Sequence, residues 1–391
     1  MKLLGLACAI IIAMLANTTF ASDLRVSITY VMREQNQAPT LSNLDPIPEN
    51  LGLIGAELGL VDNQTTGKFL GHDYTLNIIT LSPDQDISTL KDQIDFSQTI
   101  VVANAPTPDL IAISQMGANA PAVLFNASAM DNTLRDDACL PNMFHTAPSH
   151  AMLTDALAQF GFAKKWQRWA MIVGPQVHDR ALAASFEKSI NKFGIDLVAR
   201  KEWTFDTDMR RSASNEIPLF TQDFADHQML VVTDATNDFA RYVVYNTWAP
   251  RPVAGSVGLI TSGWARSVEQ FGAVQLQNRF RELAKRDMQQ TDYASWAAIR
   301  AIGEAVTRTD SNDLQTLKSY LLSDEFALAG FKGRKLSFRS WNGQMRQPIV
   351  LAHHDAMVAM APLAGFLHQF NELDTLGLDQ PESNCTAFQE D

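Results

Sequence analysis

"GAELGLVDNQTTGKFLG", Gly55 to Gly71, ends in a Thr-Gly-Lys that resembles the close of a phosphate-binding loop. The spacing excludes it. A Walker loop needs a glycine five positions before the Gly-Lys and a Ser or Thr directly after it, so that backbone amides wrap the phosphates and the hydroxyl holds magnesium. Counting back from Gly67 reaches Asp62, an anion, and Phe69 follows Lys68. The apolar positions tell a different story. Ala56, Leu58, Leu60 and Val61 extend a face begun at Leu51 and Ile54, the recurrence of a helix packed on a sheet. Asn63 to Gly67 then reads as a polar stop ending in glycine, and Leu76, Ile78 and Ile79 open a strand.

Outward from this unit the alternation continues. "LRVSITYV" is a strand before a helix over 47–66; "YTLNIIT", "TIVVA" and "PAVLF" are strands, with helices over 84–95 and 107–117 between them. The pattern restarts at "RWAMIVG", with a helix over 178–193, strands "IDLVARKEW" and "MLVVT", a helix over 236–246 and the strand "SVGLIT". Apolar strands separated by amphipathic helices predict parallel sheets covered on both faces. Helices over 268–286, 291–308 and 312–322 follow, and "KLSFRSWNGQMRQPIVLAHH" predicts a β-hairpin turning at Asn342-Gly343. Helices placed after the second block most economically complete the first, so the chain crosses between two lobes more than once. The fold class is α/β: two Rossmann-like lobes with parallel sheets, joined by a hinge of several strands.

The 391 residues suffice for two domains with real cores, and 46% hydrophobic with 19% charged residues describes a globular chain. With 31 basic and 43 acidic residues, a formal charge of -12 spread along the chain, nucleic acid is excluded as a partner. Lys2, the apolar "LLGLACAIIIAMLA" and the small residues of "TFA" predict a signal peptide over 1–21, cleaved after Ala21. The apolar run is short for a membrane span and closes at Asn17 and Thr18. Cys8, inside that run with Gly5 three residues before it, does not read as a lipoprotein site. Cleavage leaves Cys139 and Cys385, which in an oxidising compartment most simply pair and fasten the tail "PESNCTAFQED" to the end of the first half. Two separate thiols are the alternative.

The helix, glycine-bearing turn and "FLGHDYTLNIIT" together resemble the type I periplasmic binding fold, the family of branched-chain amino acid binding proteins. The resemblance covers essentially the whole mature chain. "TDATNDFARYVVYNTWAPRPVAGSVGL", "WARSVEQFGAVQLQNRF", "DYASWAAIRAIGEAVTRT" and "FRSWNGQMRQPIVLAH" are similar to ABC-transporter binding proteins that accompany pyrroloquinoline quinone (PQQ)-dependent alcohol dehydrogenase systems. It implies an N-terminal lobe of 22–146 plus 266–332, a C-terminal lobe of 147–265 plus 333–370, and a tail over 371–391. It implies a monomeric periplasmic solute-binding protein, not an enzyme, that needs no cofactor, captures a small acidic ligand (PQQ first) and hands it to a membrane permease. An alcohol or its acid product is the alternative ligand; a ligand-sensing partner uncoupled from transport is the alternative role, with metal binding third. One departure stands out: amino acid binders of this fold hold the ligand carboxylate with paired hydroxyls at a helix start, where this chain has "NAPTPDL", and Ala105 and Pro106 bring none.

In open parallel sheets the loops after the strands' carboxyl ends face the crevice. These loops place the candidates. Arg33 can fork onto a carboxylate beside Glu34. Thr107, after Ala105, can cap its helix and leave amides for an acid. Asn126, Ala127, Ser128 and His145 follow two further strands. Arg180 and Asp234 sit on the second lobe's side, Asp234 suiting an amine, a hydroxyl or an internal cation. Trp248 and Trp264 can stack on a flat ring or pack in the core. His353-His354-Asp355 is a poor metal site, because adjacent strand residues point to opposite faces. "AGSVG" at 254–258 lacks the first glycine and the following helix of a nucleophile elbow.

Overall fold

The computed structural model describes residues 24–35, 47–205 and 212–388, so the expected leader and its cleavage point lie outside it. The first lobe contains β1 (Leu24–Arg33), α1 (Leu53–Leu70), β2 (His72–Leu81), β3 (Ile100–Asn104), α2 (Thr107–Met116), β4 (Leu124–Asn126) and β5 (Met143–His145). The second contains α3 (His150–Ala163), β6 (Arg168–Val173), α4 (Val177–Lys192), β7 (Asp196–Glu202), α5 (Ala213–Thr221), β8 (Met229–Thr233), α6 (Ala240–Val243) and β9 (Val253–Gly255). Their sheets run in the orders β2-β1-β3-β4-β5 and β7-β6-β8-β9, parallel throughout. This is the α/β architecture the alternation predicts.

The decisive helix differs from its expected form at its end. α1 does not stop at the polar run; it continues to Leu70 and is capped by Gly71, whose φ of 74° is left-handed and whose N–H reaches the Gly67 carbonyl. The reason is a partner 236 residues away in sequence. After β10 (Ile260–Ser262) and α7 (Ala273–Ala284), the chain forms α8 (Gln290–Thr309), which lies along α1. A Cβ at Gly55 would collide with the Asp292 carbonyl, and one at Gly303 with the Asn63 side chain. Asn63, buried at that contact, donates to the Ile299 carbonyl at 2.7 Å and accepts from Arg300. Polar and small residues spaced four apart thus form the contact stripe between two helices rather than a stop. Asp62, the anion that spoiled the phosphate reading, binds Arg279 and the Trp296 indole.

Beyond α8 come α9 (Leu314–Leu322), β11 (Leu328–Ala329), β12 (Lys335–Phe338), β13 (Met345–Arg346), β14 (Ile349–His353) and β15 (Ala356–Ala361). β12 and β13 pair antiparallel through Phe338 and Met345, with Gly343 at φ 66° in the turn, so the Asn342-Gly343 hairpin forms. Its strands are short, and Gln344 bridges His145 of β5, which places residues 335–346 beside the first sheet. β14 then enters an antiparallel sheet with β10 and β15. Three segments therefore pass between the lobes: after β5, after β10 and after β13. The expected helix over 84–95 is only a 3₁₀ turn, Ile87–Asp92, and that over 236–246 shrinks to α6. The expected strand "SVGLIT" is instead a turn after β9 that leads into β10 at Ile260. The tail closes on the first lobe through the Cys139–Cys385 disulfide, Cα–Cα 5.6 Å.

Candidate functional site

On the first lobe, the β4 loop is built by its own polar side chains. Asn126 is buried; its Oδ1 accepts from the Ser128 and Ala129 amides at 3.1 and 2.9 Å, and its Nδ2 donates to the Ala129 carbonyl and His145 Nδ1. Both ends of the amide are thus committed to the loop. Ser128 Oγ accepts from the Ala105 N–H and donates to the Ala105 carbonyl, both at 3.0 Å, clipping β4's end to β3's; Ala127, buried, donates its N–H to the Ala103 carbonyl. The structure corrects the expected cap at Thr107. The N-cap is Pro106, and the Thr107 hydroxyl donates to Asp131 Oδ2 at 2.6 Å instead. Arg33 is likewise not a free fork: Nε meets Asp109 at 2.6 Å and Nη1 donates to the Ser82 and Gln85 carbonyls. Glu34 remains exposed at the end of β1.

Behind this loop stands a residue with no sequence signal. Arg135, 1% exposed, donates to Gln344 Oε1 and to the carbonyls of Ala129, Asp131 and Ala147. "NTLRDD" reads as a solvated charge run; only the fold shows that its arginine holds the loop from below. Burial pushes its pKa down to about 9, against the pull of Asp131. Burial, reinforced by Arg135, also drives His145 well below 6.5. Its Nε2 has no partner among the described residues.

On the second lobe, α4 starts at the carboxyl end of β6. Gln176 and Asp179 form a reciprocal capping box, and Asp179 also accepts the Ala235 N–H at 2.6 Å. Asp234, offered for a ligand amine, instead receives the Phe239 and Ala240 amides at 2.8 Å each and caps α6. Arg180 is exposed in the first turns of α4 and its guanidinium has no side-chain partner among the described residues. Trp248 is 63% exposed beyond α6. Trp264 is core: it stacks on Tyr293 at 4.7 Å and donates to Gln277. Ser256, the elbow candidate, accepts the Asp234 N–H in the turn between β9 and β10. His354 binds Asp355 and Arg266, and among the described residues no cluster of three His, Cys, Asp or Glu side chains gathers for a metal.

The loop after β4 touches two helices of the second lobe. Asn132, after β4, donates to Ser185 of α4 at 3.2 Å and accepts from the Ala151 amide; His150 donates its amide to the Met130 carbonyl. His150, at the start of α3, feels Asp131 and Arg135 of the first lobe and His178 of the second. Burial is the largest influence and lowers it from 6.5 to about 4. Both imidazoles are therefore neutral in the fold and take up protons on unfolding. Stability from His150 is complete above about 6.5 and falls as pH drops toward about 4. His150→Gln is expected to flatten the dependence of melting temperature on pH across that window, and an unchanged slope would show that His150 does not contribute.

No family model matches the chain, and no curated protein does. Solved structures do. A branched-chain amino acid ABC transporter periplasmic ligand-binding protein from Burkholderia xenovorans superposes at TM-score 0.71 with 14% identity, covering 93% of this chain and 100% of that one. The closed leucine-, isoleucine-, valine-, threonine- and alanine-binding protein of Brucella ovis gives 0.65 at 14%, over 84% and 89%. A branched-chain amino acid transporter substrate-binding protein of Streptococcus pneumoniae, in complex with isoleucine, gives 0.61 at 13%, over 86% and 98%. The chain has the two-lobed type I periplasmic binding protein fold.

Proposed function

We propose that the protein is an exported solute receptor that closes on one small molecule between its lobes and delivers it unaltered to an ABC permease. The observation that carries this reading is the shared border just described. The loop after β4, at the carboxyl end of its sheet, touches the middle of α4 through Asn132 and Ser185, while three chain segments join the lobes. Such a frame closes by hinge motion. A small acid is the proposed ligand class and PQQ the proposed member. Arg180 offers an uncommitted cation near the positive end of α4, with His178 beside it. The likeness of the quoted segments to binding proteins of PQQ-dependent alcohol oxidation systems points the same way. Branched-chain amino acids, named for the neighbours, fit less well: the Ala105 amide at the start of α2 is already held by Ser128.

Calorimetry on the mature protein tests this, with PQQ and isoleucine as the two probes. PQQ should bind one to one and emerge unchanged, and isoleucine should be silent. Saturable isoleucine binding without a PQQ response would replace the ligand assignment. Arg180→Ala should weaken PQQ by about tenfold, the size of one charged hydrogen bond of roughly 1.5 kcal/mol.

A further inference from the structure

Lys332 follows β11 and is 1% exposed. Its Nζ donates to Gln347 Oε1 at 2.6 Å and to the Pro348 carbonyl at 3.3 Å, and stands 4.2 Å from the centre of the Tyr293 ring. The other fully buried cations have an acidic charge near them: Arg339 is paired with Asp374, and Arg135 feels Asp131. Lys332 has none in reach among the described residues, and desolvation alone acts on it, holding the amine well below its ordinary value. Burial thus favours the uncharged amine, and an anion placed beside it would supply the counter-charge that lets the ammonium form.

A cavity of about 270 Å³ adjoins it, lined by Lys332, Arg334, Phe271, Pro348, Met357 and Met360 among others, with no carboxylate in its wall. Arg334 is already paired with Glu372, so Lys332 is the uncompensated cation; with a thioether and aromatic lining it defines a complementary guest of one negative end and an apolar body. The longer of the two lysine hydrogen bonds runs to Pro348, itself part of the wall, so a carboxylate entering there can reach Nζ in its place. Phe271, 55% exposed with φ 58°, rests its ring on Gly333 at the cavity's edge. The left-handed backbone is unusual for an aromatic residue and turns that ring over the opening. The wall is made from both sides of the hinge, with Met357 and Met360 on β15 and Lys332 and Phe271 on the segments around α7 and β12.

We propose that this cavity is a second ligand site, apart from the interlobe mouth, that takes a small aliphatic carboxylate with its acid group against Lys332. Hexanoate is the probe, with hexanol and hexylamine as controls, read by ligand-observed NMR titration and thermal shift on the mature protein. Hexanoate should bind saturably and raise the melting temperature, with hexanol at least tenfold weaker and hexylamine silent. Lys332→Met should lose the preference for the acid over the alcohol. Met360→Trp, which fills the cavity and leaves the lysine in place, should abolish binding, whereas Arg180→Ala should not alter it. The proposal is overturned if hexanol matches hexanoate, if Met360→Trp binds as before, if Arg180→Ala removes binding, or if hexanoate does not saturate.

Discussion

Asp374→Ala is expected to destabilise the protein by about 3–5 kcal/mol, the cost of breaking a buried ion pair from one side. Asp374 and Arg339 are each 1% exposed in their side chains, joined at 2.8 Å. The same carboxylate accepts from Arg346 Nε at 2.9 and 3.0 Å, so one anion serves two guanidinium groups. The remaining Arg339 donors go to the carbonyls of Leu373, Leu376 and Leu378, and both arginines lie over the Trp341 ring. Burial already depresses the Arg339 guanidinium despite its partner. Alanine would leave two cations facing each other with backbone oxygens and the Ser337 hydroxyl as their remaining partners and no carboxylate bonded to either. Urea unfolding followed by tryptophan fluorescence should show the loss as a shift in midpoint, and Asp374→Asn should recover only part of it. A loss under about 1 kcal/mol would mean that the site is wet or the pair screened, as at a surface.

The sequence revealed the frame more fully than the site, for a physical reason. β1, β3, β6 and β8 are short apolar runs and α4 is a one-faced helix, so local pattern identifies them. α3 escaped because "HAMLTDALAQFGFA" is buried on nearly every side; without a polar face it carries no amphipathic signal. α1 was cut short because Asn63 and Gly67 look like a stop until α8 is present to bury them. At the mouth, the loops were found and the roles of their side chains were not. Asn126 and Asp234 are polar residues after strands, which can face a ligand or satisfy their own loop's amides, and here they do the second. Arg33 looked free because its partner Asp109 stands 76 residues away. Arg135 gave no sign at all.

Removal of the Cys139–Cys385 bridge is the other large effect expected, about 2–4 kcal/mol for the double serine variant. The bridge closes a loop with a sequence separation of 246 residues, for which the chain-entropy account gives about 5.5 kcal/mol as an upper figure. The tail before it lies across both lobes. Lys192 of α4 binds Asp155 of α3, the Gly377 carbonyl and Glu382, and the Gly377 N–H returns to Asp155 at 2.8 Å. Six residues later Ser383 and Asn384 bind the Arg135 carbonyl and Asp136 of the first lobe. Two origins of the loss can therefore be told apart. If the bridge acts by restricting the unfolded chain, the variant unfolds to a more expanded ensemble, so the urea slope rises while the native tail stays in place. If it acts by pinning the tail to the native fold, the slope stays the same and protection from hydrogen exchange is lost over residues 372–388 alone. Because Lys192, Asp155 and Arg339 hold that segment independently of the sulfurs, the first outcome is the one expected; selective loss of protection in the tail would assign the bridge to holding the strap across the hinge.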